Sequence, residues 1–290
     1  MRKAKWDLFD AVNYTLITII CAVMLYPFLN VASVSFSSYS AYVNNPMMIW
    51  PHEFNIDSYR EIMKRALLWK SYLNTIIVTI SGVGTGILLY ILTAYPLSKR
   101  IVKGRRTLMV LVVFTMLFNG GLIPNFYLMR SLGLLDTLAA LALPALLSGF
   151  SLILMKNFFE SLPEELEEAA RIDGASDPFI LFRIVVPLSK PIIATLCLFA
   201  AVGYWNNFFN GIVYIRSENK WPLMLYLREV IQSASTMAEQ ANAAEMGAQN
   251  VTSETLKYAT LIIVMIPILC VYPFLQKYFV KGIMLGSVKG

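Results

Sequence analysis

Residues 71–96 read SYLNTIIVTISGVGTGILLYILTAYP and contain no formally charged side chain. A helix of about 20 apolar residues crosses the roughly 30 Å hydrocarbon core of a bilayer, and this stretch is longer than that. It also exceeds the apolar runs found in the strands and core helices of water-soluble folds. The stretch therefore predicts a transmembrane helix.

The rest of the chain has the composition of an integral membrane protein. Its 290 residues are 57% hydrophobic and 14% charged, with a mean hydropathy of +0.61, whereas soluble domains carry about 25% charged residues. All 24 basic and 18 acidic residues lie outside six uncharged runs, which are 11–36, 71–96, 107–129, 137–155, 191–215 and 258–276. We expect an all-α integral membrane protein with six transmembrane helices in one domain over residues 1–290.

The basic residues indicate the orientation of these helices. Fifteen of the 24 lie on the side that holds both termini and nine on the other, whereas the acidic residues divide equally. Cytoplasmic loops carry the excess of Lys and Arg. We expect both termini and the loop at 161–187 to be cytoplasmic, and the loops at 37–70 and 216–257 to be external. This bias explains the net charge of +6 without a nucleic-acid partner.

Several function classes are excluded by what the sequence lacks. Three cysteines in apolar runs and one polar histidine make neither a disulfide framework nor a metal site. No G-x-x-x-x-G-K-[ST] loop for nucleotide phosphates occurs. We expect no catalytic residue, no metal site and no cofactor on this chain, so energy for any transport must come from a separate subunit.

The segment 161–187, SLPEELEEAARIDGASDPFILFRIVVP, carries the most information about function. Ser161 and Glu164 fit a capping box that opens a helix, and Gly174 suits its end. Asp177 followed by Pro178 suits the start of a second helix, which Pro187 would close. The first helix places Leu162, Leu166, Ala169 and Ala170 near one face, with Glu165, Glu167 and Glu168 around the others. Such short helices need a docking partner, which is either the chain's own bundle or another subunit.

This segment resembles the EAA signature of the membrane subunits of bacterial ABC importers, EAA-x3-G-x9-I-x-L-P. The matching residues are Glu168, Ala169, Ala170, Gly174, Ile184 and Pro187. Val186 stands where the pattern has Leu, which is a conservative change.

Further residues resemble the carbohydrate-uptake, maltose-type branch of that family. They are Asn74-Thr75, the run 94–99 (AYPLSK), Trp205-Asn206-Asn207-Phe208 and Phe279-Val280-Lys281-Gly282. An Ala-rich stretch at 233–250 resembles the Gram-positive branch for lipoprotein and complex-polysaccharide permeases. The likeness runs from about residue 70 to 290.

The resemblance implies a type I ABC importer-like bundle in the bacterial cytoplasmic membrane. Its partners would be a second homologous permease subunit, giving a heterodimer, two cytoplasmic ATPases that bind ATP and Mg, and an external solute-binding lipoprotein. The segment 161–187 would couple the permease to an ATPase. The residues implied in this coupling are Glu164, Glu165, Glu168, Ala169, Ala170, Gly174, Ile184 and Pro187.

Polar and aromatic side chains within the uncharged runs are candidates for sugar contact. They are Asn119, Tyr204, Trp205, Asn206, Asn207 and Asn210. Amides pair with hydroxyls and an aromatic face stacks on a sugar ring, but asparagines also join helices and Trp and Tyr also mark the membrane interface.

Three alternatives remain open. An ABC permease for a non-sugar solute would carry the same EAA segment. A secondary transporter would need ionisable residues within its spans, and none of the runs has a formal charge. A membrane-embedded enzyme would need a cluster of His, Asp, Glu or Cys at membrane depth.

Overall fold

A computed structural model describes residues 8–244 and 253–287, with side-chain positions for 8–236 and 254–271. Every regular element in these residues is a helix, which confirms the predicted all-α class. The first four α-helices are α1 (Leu8–Ser35), α2 (Tyr39–Asn44), α3 (Asp57–Lys64) and α4 (Ala66–Ser98). The next five are α5 (Arg105–Leu117), α6 (Leu122–Ser131), α7 (Ala139–Ala142), α8 (Gly149–Glu160) and α9 (Glu164–Ile172). The last six are α10 (Asp177–Ile180), α11 (Val186–Leu188), α12 (Lys190–Trp205), α13 (Phe209–Tyr214), α14 (Leu223–Ala244) and α15 (Ser253–Ser287).

Within these residues the chain forms two compact units. One unit combines the chain before Trp69 with Leu227–Ile266, and the other combines Trp69–Tyr226 with the chain from Pro267 onward. The termini that were expected to be cytoplasmic, residues 1–7 and 288–290, lie outside the described residues. So does the 245–250 part of the Ala-rich stretch, whose preceding residues belong to α14.

Three helical segments in the described chain are long and apolar enough to cross a membrane by themselves: α1, α4 and Glu254–Val271 of α15. Three further segments pass the same test only as bent pairs. They are α5 with α6, bent by 113°, Ala139–Ala145 with α8, bent by 55°, and Asp177–Leu188 with α12, bent by 78°. By length and composition the described residues therefore hold up to six spans.

Breaks between helices interrupt uncharged runs that hydropathy predicts as continuous. In the run 107–129 the helix stops after Leu117, because Phe118 is extended and Gly121 takes a φ of +87°. In the run 191–215 the helix stops at Trp205 and resumes at Phe209. Hydropathy measures polarity and not backbone dihedral angles, so it does not reveal these breaks.

The core of the unit 69–226 lies where α4, α8, the segment 177–188 and α12 meet. Its buried side chains include Tyr95, Met155, Phe159, Ile180 and Leu196. Two glycines of α4 allow close approach, as their spacing predicts. A Cβ on Gly82 would lie 2.5 Å from the Tyr204 ring, and one on Gly86 would lie 3.0 Å from the carbonyl oxygen of Leu146.

One end of α4 is joined to the segment before α14 by side-chain hydrogen bonds. Asn74 donates to the carbonyls of Asn219 at 2.9 Å and Trp221 at 3.1 Å, and Thr75 accepts from the backbone N–H of Leu223 at 2.8 Å. Asn74 and Thr75, which resemble the carbohydrate-uptake branch in sequence, therefore stabilise the start of α14.

Asp136 holds the loop after α6 against the same segment. Its carboxylate accepts from the Ser217 hydroxyl at 2.6 Å and from the N–H groups of Ser217 and Arg216 at 2.9 and 3.0 Å, and Lys220 lies 3.1 Å away. These bonds, those from Ser217 foremost, hold the pKa of Asp136 well below its usual range. Its φ of +57° is tolerated because Asp and Asn adopt the left-handed region more readily than most residues.

Candidate coupling surface and solute path

The helix α9 begins at Glu164 with Pro163 as its N-cap residue. Ser161 does not open it, so the predicted capping box is wrong. Ser161 instead ends α8: its backbone N–H donates to Asn157 and Phe158, and its hydroxyl donates to the Phe158 carbonyl at 2.7 Å. An N-cap residue needs an extended backbone, and Ser161 is still helical at φ −83° and ψ −9°.

Gly174 ends α9 as predicted. It takes a φ of +81°, its N–H donates to the Arg171 carbonyl at 3.0 Å, and the Ala175 N–H donates to the Ala170 carbonyl at 2.9 Å. These two bonds form a Schellman motif, which satisfies carbonyls at the end of the helix and turns the chain sharply.

The segment after this corner differs from the prediction at both ends. Helix α10 includes Asp177 itself, with Ser176 as its N-cap residue, one position earlier than expected. Pro187 does not close the helix, which passes through a π turn at Leu181–Val185 and ends at Leu188 before the 78° bend. A proline has no N–H to donate and its ring clashes in a regular α-turn, so the wider turn before Pro187 accommodates it.

The face of α9 that packs on the bundle includes only part of the apolar face identified in the sequence. Leu162 and Ala170 do contact the core, but Leu166 is 44% exposed whereas Glu167 is only 7% exposed. The Glu167 carboxylate forms an ion pair with the Lys99 ammonium group at the end of α4. Glu167 is buried because this partner compensates its charge.

Tyr95 completes this contact between α4 and α9. Its hydroxyl donates to the Glu167 oxygen that pairs with Lys99, at 3.4 Å, and the Lys99 ammonium lies 4.8 Å from the centre of the Tyr95 ring. In the sequence, Lys99 stands out only through its family resemblance, and the helical periodicity places Glu167 on an outer face. Their separation of 68 residues gives no local pattern that pairs them.

A polar cavity of about 510 Å³ lies between α9 and the loop after α4. Basic and acidic side chains line it, among them Lys99, Arg100, Arg105, Glu160, Glu164, Glu168 and Arg171. Arg105 pairs with Glu160 at 3.3 Å. At the corner, Arg171 donates to Asp177 at 3.1 Å, and this hydrogen bond raises the pKa of the guanidinium group.

The outer surface of the segment 161–187 carries most of the predicted coupling residues. Ala170 and Ile184 are half-buried, and the other members are exposed: Glu164, Glu165, Glu168, Ala169, Gly174 and Pro187. Large apolar side chains accompany them, namely Leu166, Ile172, Phe179 and Phe182, with Ile172 87% exposed. Ile172, Phe179 and Phe182 were not predicted as coupling residues, although the sequence does show apolar side chains on both sides of Gly174. We call these ten exposed residues the coupling surface.

Three of the predicted solute-path residues have roles in the fold. The Tyr204 hydroxyl donates to the Ala142 carbonyl at 3.1 Å while its ring packs on Gly82. Asn207 accepts from the backbone N–H of Asn210 at 3.1 Å, and Asn119 accepts from that of Gly121 at 3.0 Å. Both asparagines therefore stabilise the chain at helix breaks. Asn206 is exposed and Asn210 is half-buried.

Trp205 lies at the edge of an apolar cavity of about 240 Å³, lined by side chains from α4, α12 and α15. Its ring meets Tyr72 edge-on at 6.2 Å. Within the described residues its buried Nε1–H has no hydrogen-bond partner, and neither has the buried hydroxyl of Thr79 in the same cavity. Both polar atoms are buried behind the lining, so the surface that the cavity itself exposes is almost entirely apolar.

Comparison with known proteins matches the chain to one family and to two similar proteins of Bacillus subtilis. The family described as "Binding-protein-dependent transport system inner membrane component" matches residues 70–285. The chain is 44% identical over 287 residues to the polygalacturonan/rhamnogalacturonan transport system permease protein YtcP of Bacillus subtilis (strain 168), covering 99% of this chain and all of that protein. It is 42% identical over 282 residues to the protein LplC of the same organism, covering 97% of this chain and 95% of LplC.

A solved structure shares the fold. It is the crystal structure of a bacterial ABC transporter involved in the import of the acidic polysaccharide alginate, at a TM-score of 0.86 and 36% identity. The match covers 96% of this chain and all of the matched chain.

Proposed function

The chain belongs to the family of binding-protein-dependent transport system inner membrane components, and from that premise we propose that it forms half of the path by which an oligosaccharide or polysaccharide fragment crosses the membrane. It is a multi-pass permease of an ABC importer in the cytoplasmic membrane. Its family consists of transporter subunits and not enzymes, and the family resemblance drawn from the EAA segment is confirmed.

The proposed substrate is a fragment of a carbohydrate polymer. The similar permease YtcP is named for polygalacturonan and rhamnogalacturonan, and the similar solved transporter is described as importing alginate. The cavity beside Trp205 and Thr79 supports the proposal, because a movement that opens its apolar lining would expose an unpartnered N–H and an unpartnered hydroxyl, which can pair with a sugar hydroxyl. Asn206 and Asn210, at the break that follows, would extend the same path.

The proposed topology has six spans and cytoplasmic termini, with external loops at 37–70 and 216–257. The excess of basic residues on one side supports this orientation. The three bent pairs support the count if each pair crosses the bilayer once.

The coupling surface is the proposed contact with an ATPase subunit, and one observation carries this proposal. The segment 161–187 is fixed to its own bundle on one side through Ala170, Lys99 and Glu167, and exposes carboxylates and large apolar side chains on the other. An ATPase that closes on nucleotide would move α9 as a rigid element, and the Lys99–Glu167 pair would pass this movement to α4.

The proposed assembly holds this chain, a related second permease, two ATPases and an external solute-binding lipoprotein. The ATPases bind ATP and Mg, and this chain binds no cofactor. The secondary-transporter alternative lacks support in the sequence. Such a transporter needs ionisable residues within its spans, and none of the six apolar runs contains one with a formal charge.

Purification from the native host in mild detergent tests the proposal. Wild type should co-purify with an ABC ATPase and a second permease, as identified by mass spectrometry, and Gly174→Asp and Glu168→Ala should lose the ATPase by at least tenfold. The matched control is Glu218→Ala, which removes a carboxylate from the proposed external loop. This variant should still co-purify with the ATPase. Wild type without any ATPase, under conditions that preserve other membrane complexes, would overturn the coupling proposal. The co-purified binding protein should bind oligosaccharides, and binding of amino acids or phosphate instead would contradict the carbohydrate substrate.

A further inference from the structure

The segment 46–50, with the sequence PMMIW, follows α2 within the unit that holds α1 to α3. It has no charged residue and lies between Asn45 and Pro51. We call it the PMMIW segment. From the sequence we expect this segment to lie outside the membrane, because the uncharged run 11–36 ends ten residues before it.

The PMMIW segment nevertheless folds back along α1. The Asn30 side-chain amide donates to the carbonyls of Pro46 and Met48, both at 2.9 Å, and the Tyr26 hydroxyl donates to that of Met47 at 3.3 Å. Tyr26 and Asn30 precede the end of α1 at Ser35 by about 14 and 8 Å, given a rise of 1.5 Å per residue. The segment therefore lies beside the helix and not beyond its end.

Within the PMMIW segment only Met48 turns its side chain into the protein. Met48 is buried in a small cluster with Val34 and Ala41. Met47, Ile49 and Trp50 point away from it and are 77%, 54% and 78% exposed. Three large apolar side chains thus form one exposed patch.

The part of α1 beside the segment is also left exposed by the rest of the described chain. Leu25, Phe28 and Leu29 of α1 are all exposed, and α1 is one of the segments apolar enough to cross a membrane. The hydrogen bonds to Tyr26 and Asn30 hold the PMMIW segment at the level of these exposed apolar residues of α1. Backbone carbonyls at membrane depth need internal donors, and Asn30 and Tyr26 supply them to three carbonyls of the PMMIW segment.

We propose that the PMMIW segment is a lipid anchor that places Met47, Ile49 and Trp50 in the interfacial region of the bilayer beside α1. The leaflet is the one toward the carboxyl end of α1, which is the outer leaflet in the orientation proposed above. Tryptophan is enriched at this depth because its ring is apolar and its N–H reaches water. The anchor ties the connection between α1 and α3 to the membrane surface.

Fluorescence quenching in the reconstituted complex tests the anchor. Ile49→Cys is made with Cys21, Cys197 and Cys270 replaced by Ser, labelled with bimane, and placed in vesicles of phosphatidylcholine and phosphatidylglycerol brominated near the glycerol end of the acyl chains. Bromolipid should quench the label at least threefold more than it quenches Glu61→Cys on α3, the matched control. Asn30→Ala should halve the quenching at position 49, whereas Thr18→Ala on the same helix should not change it.

Equal quenching at positions 49 and 61 would overturn the lipid anchor. Quenching at position 49 that appears only when the second permease or the binding protein is left out would also overturn it, by showing that a protein covers the patch. If the serine background reduces assembly, Ala in place of Ser at the three native cysteines gives the same comparison at positions 49 and 61. Sugar uptake by the same vesicles tests the proposed function separately, because neither outcome of the quenching experiment depends on transport.

Discussion

Trp205 combines a large apolar ring with a buried N–H that has no partner among the described residues. An unpaired buried donor costs about 1–3 kcal/mol, so natural proteins keep few of them, and usually for a reason other than stability. A sugar hydroxyl that accepts from this N–H would recover part of that cost during transport. Thr79 in the same cavity offers a second such group.

Trp205→Phe should therefore lower sugar uptake by roughly threefold to tenfold, the equivalent of one hydrogen bond of about 1 kcal/mol. Phenylalanine keeps an aromatic ring and removes only the N–H and part of the ring system. The measurement is the initial rate of labelled oligosaccharide uptake in proteoliposomes at matched protein content. Adding Asn206→Ala should lower uptake further.

Trp221→Phe is the matched control, since Trp221 packs against a neighbouring core cluster outside the cavity. It should leave uptake within twofold of wild type. If Trp205→Phe transports at the wild-type rate, the indole N–H does not contact the solute.

At the scale of elements, the decisive contact joins α4 to α9. Lys99 and Glu167 are both largely buried, with side chains 22% and 9% exposed. Removing one member of a buried pair leaves an uncompensated charge, at about 3–5 kcal/mol for a fully buried pair. Because Lys99 is partly exposed, about 2 kcal/mol is a better estimate here.

Glu167→Ala and Lys99→Ala should each reduce transport per ATP hydrolysed by at least fivefold, because α9 would move without carrying α4. The exchanged pair, Lys99→Glu with Glu167→Lys, should recover part of the lost coupling, which a role limited to local packing would not produce. The measurement is the ratio of solute uptake to phosphate release in proteoliposomes.

Asp57→Ala on α3 is the control for this prediction. It breaks an exposed ion pair with Arg60, and exposed pairs contribute little. Its coupling ratio should equal that of wild type. Full coupling in both single variants would show that the pair does not transmit the movement of α9.

At the scale of the whole molecule, the distribution of basic residues predicts which loops face which side. In a background without native cysteines, Glu61→Cys and Glu218→Cys should react with a membrane-impermeant maleimide in intact spheroplasts. Lys103→Cys and Glu168→Cys should react only after permeabilisation, because their loops are proposed to be cytoplasmic. The readout is labelled protein on a gel.

The two proposed external positions and the two proposed cytoplasmic positions serve as controls for each other. Labelling of Glu168→Cys from outside would contradict the proposed orientation. Labelling of Glu61→Cys and Glu218→Cys on opposite sides would contradict an even number of spans between them.

Local features of the site were predictable and distant ones were not. The Schellman corner at Gly174 follows from one residue that tolerates positive φ after a short amphipathic helix. The burial of Glu167 does not follow from its neighbours, because its partner Lys99 belongs to another helix. The capping box at Ser161 is the exception among the local predictions, since a residue that still closes α8 is not available to open α9.

The sequence alone determined that this is a membrane protein and an ABC permease, because uncharged runs and the EAA spacing are local patterns that need no fold to be read. Only the tertiary structure decided where the spans break, that Glu167 rather than Leu166 faces the bundle, and that the PMMIW segment lies beside α1. Each of these depends on which groups meet in space. The Glu167 carboxylate is buried because the Lys99 ammonium group lies beside it. The PMMIW segment lies beside α1 because Asn30 and Tyr26 donate hydrogen bonds to its carbonyls.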